Sequence, residues 1–202
     1  MKNDISILST YRSSEYLLVL NPHEELRDRI VKVKQEFGEK FKAEQAIWSK
    51  PHLTLVRFTQ LEMMEQKILN CLKLKAMSQY PFKVELKDFG SFPSHSIYIT
   101  VTTKEPIRQL VKEIKGSQSL LKFDKTQKPH FIDDPHLTIA RKLLPWQYEQ
   151  SWLEYSNKSF TGRFIADGMI LLKRRLGDKG YHVLKRFEFQ NLPVNTKQGV
   201  LF

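Results

Sequence analysis

The stretch Pro51-His52-Leu53-Thr54-Leu55-Val56-Arg57 returns almost unchanged as Pro135-His136-Leu137-Thr138-Ile139-Ala140-Arg141. Matched positions are 84 apart throughout (136 − 52, 138 − 54, 141 − 57), and the two that differ, Leu55/Ile139 and Val56/Ala140, stay apolar. Any fold for this chain must therefore house the same short element twice. In an extended strand successive side chains point to opposite faces, so each His shares a face with its Thr. Leu53 and Leu55, like Leu137 and Ile139, then point into a core. Random placement of the 6 His and 10 Thr of this chain would give roughly 0.3 His-x-Thr pairs, and the matching Pro and Arg flanks set coincidence further aside. A plain scaffold duplication would have to satisfy buried His and Thr side chains with two sets of hydrogen-bond partners. Two imidazoles presented from rigid strands suit acid–base chemistry on a phosphoester.

These residues resemble the 2H phosphoesterase superfamily, in particular its bacterial branch often called 2′-5′ RNA ligase-like. Its members carry two His-x-Thr/Ser-x motifs, x usually apolar, in two related halves. His52-Leu53-Thr54-Leu55 and His136-Leu137-Thr138-Ile139 match without a departure, and Arg141 matches the Arg that often follows the second motif. The likeness runs from about Tyr16 to about Phe189. One departure is Lys173-Arg174-Arg175, where relatives often have a small polar residue. The resemblance implies an α+β, bilobed fold whose two pseudo-symmetric lobes face a central cleft, with antiparallel sheets inside and helices outside. It further implies opening of 2′,3′-cyclic phosphates, with His52 as acid and His136 as base. The reverse reaction would join a 2′-phosphate to a hydroxyl.

The residues themselves support the same chemistry. In-line attack of water on phosphorus needs one group to take a proton and another, on the opposite side, to give one to the departing ribose oxygen. Histidine suits both roles because its ordinary pKa lies near neutrality. The Thr54 and Thr138 hydroxyls can hold the non-bridging oxygens. Substrate-binding candidates are Arg141, Lys173 and Arg174 for phosphate, with Phe92, Tyr98 and Tyr181 to stack a base. Strict alternation sets Arg57 and Arg141 on the face opposite the histidines, so a phosphate contact from either requires a bulge or an early strand end. Asp133-Asp134, near His130 and His136, is the one acidic cluster beside histidines, and it serves to orient an imidazole or stays solvated. No metal and no other cofactor is expected. His23 reads as solvent-facing in a helix's first turn, His95 as a loop residue at the surface or the cleft rim, His182 as part of a terminal strand with no partner motif, and Cys71 as part of a helix's apolar stripe.

Net charge +11 and pI near 9.6 favour polyanionic partners, of which RNA best fits a phosphoester site. Composition is that of a globular protein, and 202 residues fit a single two-lobed domain, with a core at 12–189 and a tail at 190–202. A lone Cys excludes an internal disulfide and a multi-Cys zinc site. The apolar run near the N-terminus is too short for a signal peptide and nothing reaches the length of a membrane span. The reading is of a cytoplasmic monomer acting on RNA ends or small nucleotides.

Along the chain, Tyr16–Leu20 reads as a strand. A helix opened by Asn21-Pro22 follows, with Leu26, Ile30, Val33 and Phe37 at helical spacing. The first motif strand is expected around Ala46–Phe58, and Thr59-Gln60-Leu61-Glu62 has the form of a capping box for the next helix. Residues around 82–86 and 97–101 alternate as a hairpin, Ile107, Leu110, Val111 and Ile114 mark a helix, and Pro145 opens another. Met169–Leu172 and Tyr181–Phe189 read as strands joined by a turn at 177–180. Three functions compete: a cyclic phosphodiesterase, a phosphodiesterase for 2′-5′ oligonucleotides or cyclic signalling nucleotides, and a non-catalytic nucleotide- or RNA-binding module.

Overall fold

The two copies of the heptapeptide become neighbouring antiparallel strands, β2 (Leu53–Leu61) and β6 (His136–Arg141), joined at one rung, Leu53 opposite Leu137. The computed structural model that shows this describes residues 12–175 and 177–192. The remaining elements, in chain order, begin with β1 (Ser13–Leu20), α1 (Glu24–Lys40) and α2 (Glu44–Trp48) ahead of β2. A 3-10 turn (Glu62–Met64), α3 (Glu65–Met77), β3 (Phe82–Phe92), β4 (Ser96–Val101), α4 (Glu105–Lys115), α5 (Gln118–Leu121) and β5 (His130–Phe131) lie between the motif strands. After β6 come α6 (Pro145–Tyr155), β7 (Thr161–Ala166), β8 (Gly168–Arg175) and β9 (His182–Glu188). This is the α+β architecture expected from the sequence.

The strands run in the order β7-β3-β4-β6-β2-β1-β8-β9, with β5 on the side of β2. Cut between β6 and β2, the order falls into two quartets of like design. In each, the motif strand pairs antiparallel with an earlier strand of its own quartet, β2 with β1 and β6 with β4, and two helices lie in the connection. The helices then cross over: α1, which lies between β1 and β2 in sequence, packs on β6 and β7, while α4 packs on β2. Each lobe is thus covered partly by the other's helix, which ties the halves together.

One irregularity is duplicated as well. Leu18 pairs with Val56 and Val19 with Thr54, leaving Leu55 as an extra residue; Ile97 pairs with Ala140 and Tyr98 with Thr138, leaving Ile139 extra. A bulge shifts the in–out alternation by one residue. Leu55 and Val56 are therefore both buried, as are Ile139 and Ala140, and the arginine that follows each pair is exposed.

The sequence reading needs local correction. Helix α1 starts after His23, two residues beyond Asn21-Pro22, and residues 44–48 form a short helix rather than the start of β2. The Thr59–Glu62 capping box is absent: β2 runs on to Leu61, and the Gln60 side chain is buried, donating to the carbonyls of Leu120 and Lys122. Strands β5 and β7 have no counterpart in the sequence reading. The helix at Pro145, the hairpin of β3 and β4 and the buried stripe of α4 are as read. Asn191 and Leu192 donate backbone hydrogen bonds to Gln79 and Met77, while the rest of the tail and the N-terminal segment lie outside the described residues. No helix among the described residues is long and apolar enough to cross a membrane.

Candidate active site

Both histidines and both threonines line one cleft of about 320 Å³, together with Arg57, Arg141, Arg174 and Tyr181, and with Glu15, Ser49, Lys50, Ser96 and His130. Each imidazole is fixed in the same way. His52 Nδ1 donates to the carbonyl of Lys50 and His136 Nδ1 to the carbonyl of Asp134, both at 2.8 Å. A carbonyl only accepts, so in the neutral ring the proton sits on Nδ1 and Nε2 keeps its lone pair, on a ring that lines the cleft. Lys50 and Asp134 are again 84 positions apart (134 − 50). The duplication therefore includes the group that sets the tautomer.

The bulges bring the arginines into the same cleft. With alternation shifted at Leu55 and Ile139, Arg57 and Arg141 project on the side of Thr54 and Thr138. The condition that strict alternation imposed is met in both copies, for Arg57 as much as for Arg141.

The surroundings of the two rings differ. His136 is packed between aromatic side chains, Phe92 edge-on with centroids 4.9 Å apart and Tyr98 tilted at 5.0 Å. Tyr98 can lie there because Gly90, its partner on β3, has no Cβ; one would stand 2.5 Å from the Tyr98 ring. Phe92 and Tyr98 thus occupy each other and His136 rather than standing free in the cleft for a base. Burial pushes both histidines below their ordinary pKa. At His52 the positive charges of Lys34 and Arg141 push the same way, whereas at His136 the Asp134 carboxylate pushes back. Asp134 is itself held by Lys104 at 2.6 Å and Arg108 at 3.8 Å.

On β8 the three basic residues part company. Arg174 pairs across β1 with Glu15, whose carboxylate it meets in a short ion pair, and its guanidinium lies 4.8 Å above the Tyr181 ring centroid. Arg57 reaches the same carboxylate at 3.9 Å. Burial raises the Glu15 pKa, but hydrogen bonds from Tyr181 and Arg174 and the neighbouring guanidinium charges outweigh it and hold the group ionised. Lys173 must be corrected. Alternation turns it to the opposite face, where it is 4% exposed and bonded to Glu65 at 2.6 Å and Glu62 at 3.2 Å, beside the Tyr16 hydroxyl that also donates to Glu65. It is a core ion cluster, not a cleft wall. Arg175 is exposed and bonds Glu62 at 3.1 Å.

Glu15, Ser49 and Lys34 were missed from sequence. Lys34 had a signal: it sits on the 26-30-34-37 stripe of α1, where a buried residue is expected. It is 2% exposed and donates to Ser49 Oγ at 2.5 Å. Cys71 bonds the Ser117 hydroxyl through its Sγ at 3.1 Å, away from the cleft. Among the described residues, no group of three His, Cys, Asp or Glu side chains is placed to hold a metal ion.

The sequence pattern of the 2′-5′ RNA ligase superfamily matches residues 10–178. No curated protein matches. Among solved structures, TT0787 of Thermus thermophilus is similar with a TM-score of 0.64 at 21% identity, over 87% of this chain and 98% of that one. E. coli LigT, solved with 3′-AMP, is similar with a TM-score of 0.60 at 16% identity, over 88% and 98%. A structure described as a phosphoesterase gives 0.62 at 16% identity, over 87% and 98%. At these identities the likeness is one of fold, and it agrees with the family match that covers most of the sequence. The chain belongs to the 2′-5′ RNA ligase superfamily, the 2H phosphoesterases.

Proposed function

We propose that this protein is a metal-independent phosphodiesterase that opens 2′,3′-cyclic phosphate ends of RNA or nucleotides. The observation that carries the proposal is the matched pair of imidazoles, each with Nδ1 pinned to a backbone carbonyl and Nε2 left for one shared cleft. Water attacks the phosphorus as one Nε2 takes its proton. The bond from phosphorus to a ribose oxygen breaks as the other Nε2 protonates that oxygen, leaving a terminal phosphate monoester. The two rings supply both proton transfers, so the step needs no metal. Thr54 and Thr138 hold the non-bridging oxygens, and Arg141 and Arg57 offset the charge that develops there.

The charges around the rings favour one division of labour. A proton is better held on His136, beside Asp134, than on His52, beside Lys34 and Arg141. In hydrolysis His136 then serves as acid and His52 as base, the reverse of the roles that the family resemblance implies.

RNA ends are supported by the surface beside the cleft. Trp48 is 83% exposed, immediately before Ser49 and Lys50 of the cleft wall, and shares an outer depression with Lys42 and Lys142. A base can stack on that indole while its phosphates meet the lysines. LigT has been solved with 3′-AMP, ATP and NADP+, which supports nucleotide recognition by this fold. The test is a substrate panel in chelator: 2′,3′-cyclic mononucleotides, RNA with a cyclic end, and 2′-5′ and 3′-5′ dinucleotides, with products identified. Ring opening of the cyclic phosphates is expected. Cleavage of the 2′-5′ dinucleotide alone would replace this reading with that of a 2′-5′ phosphodiesterase.

A further inference from the structure

Lys34 is a buried cation with no carboxylate partner among the described residues, and its one side-chain hydrogen bond is to Ser49 Oγ at 2.5 Å. A buried charge without a counter-charge is costly and is retained where something offsets it. The groups that bear on it do not: Arg141 comes from β6, and His52 stands at the head of β2. On the other elements that pack against α1, Glu44 of α2 lines the outer depression with Trp48, Arg163 of β7 lines a separate hollow with Arg29, and Glu154 of α6 is taken by Lys40 and Lys158. Among the described residues, the route by which a negative charge can reach Lys34 is the cleft, through Ser49.

Ser49 stands between Lys34 and that cleft. An ammonium only donates, so Ser49 Oγ accepts from Lys34 and its own hydroxyl proton is free to point elsewhere. We propose that Lys34 and Ser49 form an anion relay, in which Lys34 acts as a positioning residue that turns the Ser49 hydroxyl into a donor for an oxygen of the substrate's phosphate. The inference deepens the proposed phosphodiesterase reading by adding a contact on the His52 and Arg141 side of the cleft. Burial, with the charge of Arg141, lowers the Lys34 pKa to about 8. Once deprotonated, Lys34 has a lone pair to accept from Ser49, and the donor turns away from the cleft.

Inorganic sulfate is the probe, because its charge is constant across the pH range of interest. Its binding to the full chain is measured by calorimetry between pH 6.5 and 9.5 for the wild type, Lys34→Met, Ser49→Ala and the double variant. Each single variant is expected to weaken sulfate at pH 7 by roughly 10–100-fold, the range for a hydrogen bond to a charged group. The double variant should lose little more. The fall in wild-type affinity through about pH 8 should be absent in Lys34→Met and the double variant and smaller in Ser49→Ala, where the Lys34 charge remains but the relayed hydrogen bond does not. Methionine replaces an unpaired buried charge with an apolar chain of similar length, and Ser49→Ala leaves Lys34 in place, so two independent routes test the relay. Wild-type affinity in Ser49→Ala, or additive losses in the double variant, would overturn it. Sulfate effects without turnover of cyclic nucleotides would reject the proposed function and leave the relay standing.

Discussion

Leu53 and Leu137 face each other across the one rung that joins β2 to β6, and each is the middle residue of a His-x-Thr motif. Continuing that antiparallel register sets His52 toward Thr138 and Thr54 toward His136. The two leucines are fully buried, so their side chains anchor the rung from below while the four polar groups rise on the other side. The single rung lets the lobes diverge beyond it and leaves a cleft in which phosphate can lie between the imidazoles.

The unequal surroundings of the rings give the first prediction. Burial lowers both histidines, but Lys34 and Arg141 add to the effect at His52 and Asp134 opposes it at His136. Titration followed by NMR on the two ring Cε1–H signals should show His136 releasing its proton at higher pH than His52. The opposite order would return the acid role to His52.

Lys173 tests whether the basic run on β8 is one surface or two. With Glu62 and Glu65 around it on the buried face, Lys173→Ala leaves carboxylates without their cation and should cost on the order of 3 kcal/mol in urea unfolding. Catalytic constants at a temperature where the variant stays folded should not change. Arg174→Ala should do the reverse, raising KM with little loss of stability. A raised KM in Lys173→Ala would bring that residue back to the cleft.

How much of this was legible beforehand follows from which forces act locally. The motif strands, the stripe of α4 and the start of α6 at Pro145 are carried by short-range spacing, and the sequence shows them. The family resemblance supplied the lobes. What escaped depends on contacts distant in sequence. Residues Thr59–Glu62 have the form of a capping box, yet Thr59, Gln60 and Leu61 continue β2 because pairing with β1 and the bonds from Gln60 to Leu120 and Lys122 outweigh a local cap. The reach of Arg57 and Arg141 into the cleft depends on bulges that appear only when β1 and β4 are paired. The direction of Lys173 follows from alternation along β8, but that its side meets Glu65 of α3 and Glu62 is a contact distant in sequence.

Glu15 is the carboxylate that damps one end of the cleft, where it meets both Arg57 and Arg174. Glu15→Gln frees those guanidinium groups while keeping much of the side chain's hydrogen bonding. Binding of a nucleoside 3′-phosphate should tighten several-fold, and the gain should shrink as salt is added. Unchanged affinity would mean that the arginines at this end do not meet the ligand.

Lys34 makes a prediction about stability that stands apart from the relay. Its pKa is about 8 in the folded protein against an ordinary 10.5. Between those values the unfolded chain binds the proton and the folded one does not, so stability due to this group rises with pH there, and below about pH 8 the full penalty is present. At pH 7 that gap corresponds to about 3 kcal/mol. Lys34→Met should therefore unfold at higher urea than the wild type at pH 7, with the advantage fading toward pH 10.5. A less stable methionine variant at pH 7 would mean that the ammonium is well solvated or paired.

The most direct measurement is single-turnover hydrolysis of a 2′,3′-cyclic nucleotide by the wild type, His52→Ala and His136→Ala, in excess chelator, with circular dichroism to confirm that each variant is folded. Two-histidine catalysis predicts an active wild type and a loss of roughly 10²–10⁴ in each variant, as expected for removal of a general acid or base. Full turnover in either folded variant, or wild-type activity that vanishes in chelator and returns with a divalent metal, would contradict it.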